Sequence, residues 1–150
     1  MVGICKNGQE FYFDKEDYAK IQPFCWHTYK STYIAAYNPE TKQHMQLHRY
    51  VMDCPNGYEV DHINHVGYDN RKQNLRICKQ NENALNKLTP SHNTSGHKNV
   101  CKSKGNKWSV RIRRKWIGTF DSYEEACAIE EEKEKELYGE FSVYSNLEIK

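Results

Sequence analysis

The sequence predicts an α+β fold. A small N-terminal antiparallel sheet leads into a strand–loop–strand–helix core near residues 58–86, and a three-stranded antiparallel sheet packed on one helix follows. Three observations carry this expectation. Apolar residues occur in short runs bounded by Asn, Gly and Pro, the pattern of short strands. Helical signals gather at 122–138, between a capping serine and a glycine. Residues 87–96, with Pro90 and a run of Ser, Thr, Asn and Gly, break both patterns and read as a linker. The expected domains are therefore 1–86 and 97–150.

The N-terminal elements follow from local chemistry. Val2–Cys5 and Phe11–Phe13 flank Lys6-Asn7-Gly8, and Asn-Gly is a strong hairpin turn. Asp14 is placed to cap a helix to about Ile21, which Pro23 ends. Residues 25–30, 32–37 and 44–47 read as three more strands, and 48–53 as a short helix. This third reads as scaffold; His48 either supports the neighbouring site or packs and hydrogen-bonds locally, the local role being preferred. Beyond the linker, 97–102, 107–113 and 116–120 read as strands. Ser122 and Glu125 form a capping box, the helix runs to about Tyr138, and Gly139 stops it. The tail is expected to fold back through Phe141 and Tyr144.

Bulk properties narrow the function. A hydrophobic content of 37% supports small cores, so the chain is not a disordered tail. There is no long apolar run and no signal-peptide layout, so neither a membrane nor export is expected and a cytoplasmic place is. The six cysteines include no C-x-x-C pair, which argues against a cysteine-ligated zinc and for reduced thiols, most of them buried. Charge is sharply divided. Residues 1–86 hold 10 basic and 10 acidic side chains; 87–120 hold 9 basic and no acidic ones; 121–150 hold 3 basic and 10 acidic ones. A solvated surface normally mixes signs, so the basic block points to a polyanion. Most of the attraction to that polyanion must come from beyond the linker.

The chemistry lies in Tyr58–Asn86. Cutting a phosphodiester needs an activated water, positive charge for the leaving oxygen, and a scaffold. His62 is a natural general base near neutral pH. Asp61 offers an anionic oxygen to a hard divalent cation, and a helix carboxamide offers a second. Adjacent strand residues point to opposite faces, so Asp61 and His62 share a pocket only where the strand ends and the loop bends. In order, the segment reads Val60-Asp61-His62-Ile63-Asn64, Asp69-Asn70-Arg71, Asn74-Leu75-Arg76 and Asn83. This pattern resembles the HNH nuclease motif of the ββα-metal superfamily, in the form common among phage and intron homing endonucleases. The resemblance implies that His62 is the general base, that Asp61 and Asn83 bind the metal, and that Asn74 fixes the loop and orients the His62 ring. The family's final His is Asn83 here, and an all-oxygen pair favours Mg2+ or Mn2+ over zinc. His65, Asn81 and Asn86 are left as loop or surface residues.

The C-terminal module resembles the plant Apetala-type (ethylene-response-factor) DNA-binding domain. The resemblance runs from Asn93-Thr94-Ser95-Gly96 through Lys107-Trp108, Val110-Arg111-Ile112-Arg113 and Trp116-Ile117-Gly118-Thr119-Phe120 to Tyr138-Gly139-Glu140-Phe141. A turn at Arg114-Lys115 pairs Arg113 with Trp116 and Arg111 with Gly118, giving a cationic face of Lys107, Arg111, Arg113, Arg114 and Trp116 toward DNA. The opposite face, Val110, Ile112 and Ile117 with Thr119, then covers Tyr123, Ala126, Ile129 and Leu137 of the helix. Glu124, Glu130, Glu131, Glu134 and Glu136 form a solvated face.

Together these readings predict a metal-dependent HNH endonuclease acting on double-stranded DNA, a nicking or homing enzyme of a phage or mobile element working in the host cytoplasm. One site per chain suits a monomer that nicks. The alternative is a non-catalytic DNA-binding regulator that uses the basic ribbon.

Overall fold

The fold is described from a computed structural model. It describes residues 1–147 other than Leu88, Pro90 and His92, with the backbone alone for Asn146 and Leu147. Pro90, expected to stop the central helix, lies outside the described residues, as does the tail beyond 147. The architecture is α+β, and the chain forms two compact units, Met1–Asn83 and Ala84–Lys150.

In the first unit, β1 (Val2–Ile4) and β2 (Glu10–Tyr12) form the expected hairpin, with Gly3 opposite Phe11. A 3-10 turn (Lys15–Asp17) runs into the four-residue α1 (Tyr18–Ile21). Asp14 precedes it without capping it. Its carboxylate instead accepts from the backbone N–H of Lys72, tying the N-terminal segment to the central loop. Next come β3 (His27–Tyr29), β4 (Tyr33–Asn38) and β5 (Gln43–Gln46), an antiparallel sheet in chain order. Asn38 turns the chain between β4 and β5 by accepting from the N–H groups of Glu40 and Thr41. The short α2 (Leu47–Val51) lies against β4. Then β6 (Glu59–His62) and β7 (Leu75–Cys78) pair antiparallel, and α3 (Gln80–Asn83) closes the unit. The core gathers Phe11, Phe13, Ile21, Trp26, Ile34, Leu47, Val51, Val60 and Leu75. The central helix is shorter than expected: Asn81 and Asn83 belong to it, whereas Asn86 is buried in the second unit.

In the second unit, β8 (Val100–Lys102), β9 (Trp108–Ile112) and β10 (Lys115–Phe120) form the three-stranded sheet, and α4 (Tyr123–Tyr138) packs on it. The Ser122 hydroxyl caps α4 by accepting from the Glu125 N–H, and Gly139 ends the helix at a positive φ of 54°. The hairpin register departs from expectation. The turn is Arg113-Arg114, both at positive φ, so Lys115 faces Ile112 and Trp116 faces Arg111. Two left-handed residues are what a tight two-residue turn demands, and arginine is an uncommon choice for it. A bulge between Trp116 and Gly118 then sets Gly118 opposite Val110, not Arg111. Glycine is needed there for a different reason: a Cβ would lie 2.8 Å from the Phe120 ring.

The face of α4 that meets the sheet also differs. Ala126, Glu130, Glu134 and Tyr138 are buried at successive helical turns, while Leu137 and Thr119 are exposed and Ile129 lies outside the core. Glu130 and Glu134, expected in solvent, are fully buried. Their carboxylates are met by Asn99 Nδ2, by Lys98 Nζ and by the Ser142 hydroxyl. Partnering of this kind is what makes buried charge tolerable. A short α5 (Val143–Leu147) returns the tail to this unit; Val143 is buried and Tyr144 stacks on His97 at 5.6 Å. None of the six cysteines forms a disulfide, and only Cys5 and Cys78 are buried, fewer than expected.

Candidate active site

The site is built on β6 and on the loop that joins it to β7. Pairing continues through the last residue of β6, with Asp61 opposite Arg76 and His62 opposite Leu75. The chain turns directly afterwards: the His65 N–H donates to the His62 carbonyl, and His65 takes a positive φ of 62°. The strand therefore ends on the histidine and the chain bends at once, the condition under which Asp61 and His62 can share a pocket.

Both side chains are buried, and their neighbours differ. Asp61 Oδ2 accepts from Arg76 Nε at 2.9 Å and from Arg76 Nη2 at 2.7 Å. The His62 ring lies among His48, Tyr33 and Asn70. Its centroid is 4.9 Å from that of His48 and 5.8 Å from that of Tyr33, and Nε2 is 3.4 Å from Asn70 Oδ1. Burial is the main reason that His62 loses its proton more readily than an ordinary histidine. The Asn70 bond and the charges of Asp61 and Asp69 pull the other way. Burial likewise drives His48 down to about 3, helped by the His62 and Arg49 charges.

The loop is held by side chains. Asn74 Oδ1 accepts from the Asn64 N–H at 3.0 Å, and Asn74 Nδ2 donates to the Asp69 carbonyl at 2.8 Å. Asp69 takes a two-pronged pair of bonds from Arg71, each 2.7 Å, and a third from Asn64. Arg71 is thus the main group that holds the Asp69 carboxyl below its usual range against the cost of burial. Gly67 lets the loop approach the β3–β4 connection, because a Cβ there would sit 2.1 Å from the Thr32 carbonyl oxygen. Asn74 thus holds the loop through these two bonds, and Asn70 bonds the His62 ring.

Asn83 donates through Nδ2 to Glu59. Glu59 and Asp61 are two residues apart on β6 and so share a face, and Asn83 meets that face at Glu59. Among the described residues, no three His, Cys, Asp or Glu side chains form a ready metal cage. The set present is instead hard oxygen chemistry, a carboxylate with a carboxamide, which suits a small divalent cation.

Comparison with known proteins adds a family. Residues 50–85 match the model of the HNH endonuclease family. A protein named as an uncharacterized HNH endonuclease of Acanthamoeba polyphaga mimivirus is 28% identical over 139 residues, covering 86% of this chain and 71% of its own. Protein 3.8 of Escherichia phage T7 is 40% identical over 65 residues, covering 43% of this chain and 48% of its own. No solved structure matches. The matched segment contains Asp61, His62, Asn70, Asn74 and Asn83 and supports a nuclease. His48 and Tyr33 lie outside it.

Sequence reasoning missed the part of two neighbours and under-weighted a third. Asn70 was legible as part of Asp69-Asn70-Arg71 but carried no assigned role. Arg76 opposite Asp61 follows only from the strand register. His48, for which the local role was preferred over support of the site, reaches the His62 ring through tertiary packing.

On the second unit, Arg111, Arg114 and Trp116 are exposed, Trp116 at 60%. Lys107 pairs with Asp121, and the Arg113 guanidinium lies over the Tyr138 ring, 5.0 Å from its centroid. Two of the five residues expected to face DNA thus have partners within the unit. No helix among the described residues is long and apolar enough to cross a membrane.

Proposed function

We propose that the chain is a metal-dependent HNH endonuclease that nicks double-stranded DNA, with His62 as the general base. The observation that carries the reading is the buried His62 ring, hydrogen-bonded at Nε2 to Asn70 and next to Asp61 in the chain, within the segment that matches the HNH family.

Asn70 Oδ1 only accepts, so Nε2 carries the hydrogen and Nδ1 the lone pair. The burial-lowered proton affinity keeps that lone pair available at neutral pH. A water proton passes to Nδ1, the oxygen bonds to phosphorus, and the bond to the 3′ oxygen breaks. The products are a 5′-phosphate and a 3′-hydroxyl. The Asp61 and Asp69 charges favour the imidazolium that forms. Asp61 and Asn83 would hold a divalent ion, Mg2+ or Mn2+; Arg76 is the partner of the Asp61 carboxylate in this structure. When bound, the ion supplies positive charge for the leaving oxygen. Arg111, Arg114 and Trp116 grip the duplex. A mobile-element homing enzyme is the biological setting that fits one site per chain joined to a separate DNA-gripping unit.

The test is supercoiled plasmid incubated with Mg2+ or with EDTA. Nicked circles are expected with Mg2+ alone, and mapped ends should carry a 5′-phosphate. His62→Ala should slow nicking by about 10²–10⁴-fold, the usual worth of a general base. Plasmid that is bound but left intact by the wild-type protein would sink the reading in favour of a DNA-binding regulator. Arg111→Ala with Arg114→Ala should weaken binding and reduce the logarithmic salt slope by about 0.9 for each phosphate that is no longer neutralised. An unaltered slope would move the gripping surface elsewhere.

A further inference from the structure

His48 and Tyr33 lie outside the residues that match the family, and the reaction above gives neither of them a part. We infer that they are positioning residues that hold the His62 ring in its working plane, an inference that rests on the nuclease reading.

Three aromatic rings from three separate elements meet here. His48 comes from α2, Tyr33 opens β4, and His62 ends β6. His48 meets His62 edge-on, with centroids 4.9 Å apart and planes at 73°. Tyr33 touches both, 5.3 Å from His48 and 5.8 Å from His62. Each pair falls within the separation at which aromatic rings attract, and the edge-on pair has a favoured geometry.

The two kinds of contact do different jobs. The bond to Asn70 selects which nitrogen of His62 keeps the lone pair. A hydrogen bond fixes a direction at one atom of the ring. The flanking rings of His48 and Tyr33 set its plane, because they pack against its body. A base must hold its lone pair toward the water in order to work, so a fixed plane is worth rate rather than affinity.

The identity of His48 fits this part. It is 5% exposed, and its Nδ1 has no hydrogen-bond partner among the described residues. A buried polar atom without a partner costs stability, so an apolar ring would fill the same space at less cost. Its low proton affinity keeps it uncharged beside His62, where a second positive charge would oppose the imidazolium. A neutral ring is what the contact uses.

The experiment measures nicking kinetics for the wild type, His62→Ala, His48→Leu and His48→Phe, with thermal unfolding of each. Leucine fills the core without a ring; phenylalanine restores the ring without the nitrogens. His48→Leu should lower kcat by about a hundred-fold, the scale of a small misplacement of a reacting group, with KM nearly unchanged. His48→Phe should recover kcat to within a few-fold of the wild type. Tyr33→Leu should repeat the loss, again in kcat. Full activity in His48→Leu overturns the inference, and so does a His48→Phe protein that is folded and as slow as His48→Leu. Failure of the nuclease reading is distinguishable: there the wild type itself leaves the plasmid uncut. An active wild type with a dead His62→Ala and an undiminished His48→Leu removes the positioning part alone.

Discussion

Each unit buries a polar cluster, and the two clusters are built on different terms. In the first unit, His62, His48, Asn70, Asp69 and Asn74 are buried beside a loop whose backbone they hold, and two atoms, His48 Nδ1 and Asn70 Nδ2, lack partners among the described residues. In the second, Glu130 and Glu134 are fully buried on α4; Glu134 is met by Lys98, Asn99 and Ser142, and Glu130 by Asn99 at Oε1, while Glu130 Oε2 lacks a hydrogen-bond partner among the described residues. The second cluster spends its bonds joining the segment ahead of β8 to the helix and tail. Both clusters leave polar atoms unpartnered, but only in the first do they lie beside a group able to act as a base. The comparison teaches that burial alone does not mark function; unspent polar capacity beside a reactive group is the better sign.

The largest expected effect sharpens this contrast from the structural side. Glu134→Ala strands the Lys98 ammonium, which is 15% exposed and cannot easily reach water. Removing one partner of such a pair should cost about 3 kcal/mol. Urea unfolding with hydrogen exchange of α4 would measure it; a loss below about 1 kcal/mol would mean that the cluster is not what secures the helix.

Asp69→Ala should cost less, about 2 kcal/mol, although it removes more bonds. Its partner Arg71 is 43% exposed and can turn outward. Nicking should fall with it, because the Asp69 loop carries Asn70. Lost stability with full activity would break the link between loop and base.

A pH effect has opposite signs in the two units. Burial pushes Glu130 up to about 7, with the Glu134 charge adding to it and the Asn99 amide opposing it. The unfolded chain then releases this proton first, so the second unit loses stability as pH rises from about 4.5 to about 7. His48 is lowered from 6.5 to about 3, so the first unit loses stability as pH falls through that range. Between about pH 4.5 and 6.5 the two units should trend in opposite directions, each by at most about 1.4 kcal/mol per pH unit. Hydrogen exchange on β6 and α4 would follow them separately. Glu130→Gln and His48→Phe should each flatten one trend; parallel trends would refute the pairing.

Much of this molecule was legible in order along the chain. The hairpin at Asn7-Gly8, the Ser122 cap, the Gly139 stop and the strand–loop–strand order around Asp61 and His62 are local features, and local signals report them. The Arg113-Arg114 turn was misread by one residue because side-chain alternation alone does not fix register, and neither arginine advertises a left-handed backbone. Glu130 and Glu134 were misread because spaced acidic residues on a helix look solvated unless their donors are known.

By itself, then, the sequence determined which residues are able to do chemistry: a histidine beside an aspartate, with asparagines at set intervals after them. Tertiary structure decided which groups surround them. It put Arg76 on Asp61, Asn70 and the rings of His48 and Tyr33 around His62, and Lys98 under Glu134. The physical reason is range. Turn, cap and strand preferences act over a few neighbouring residues, whereas the planes of buried rings and the partners of buried charges are set by elements that meet only when the chain has folded.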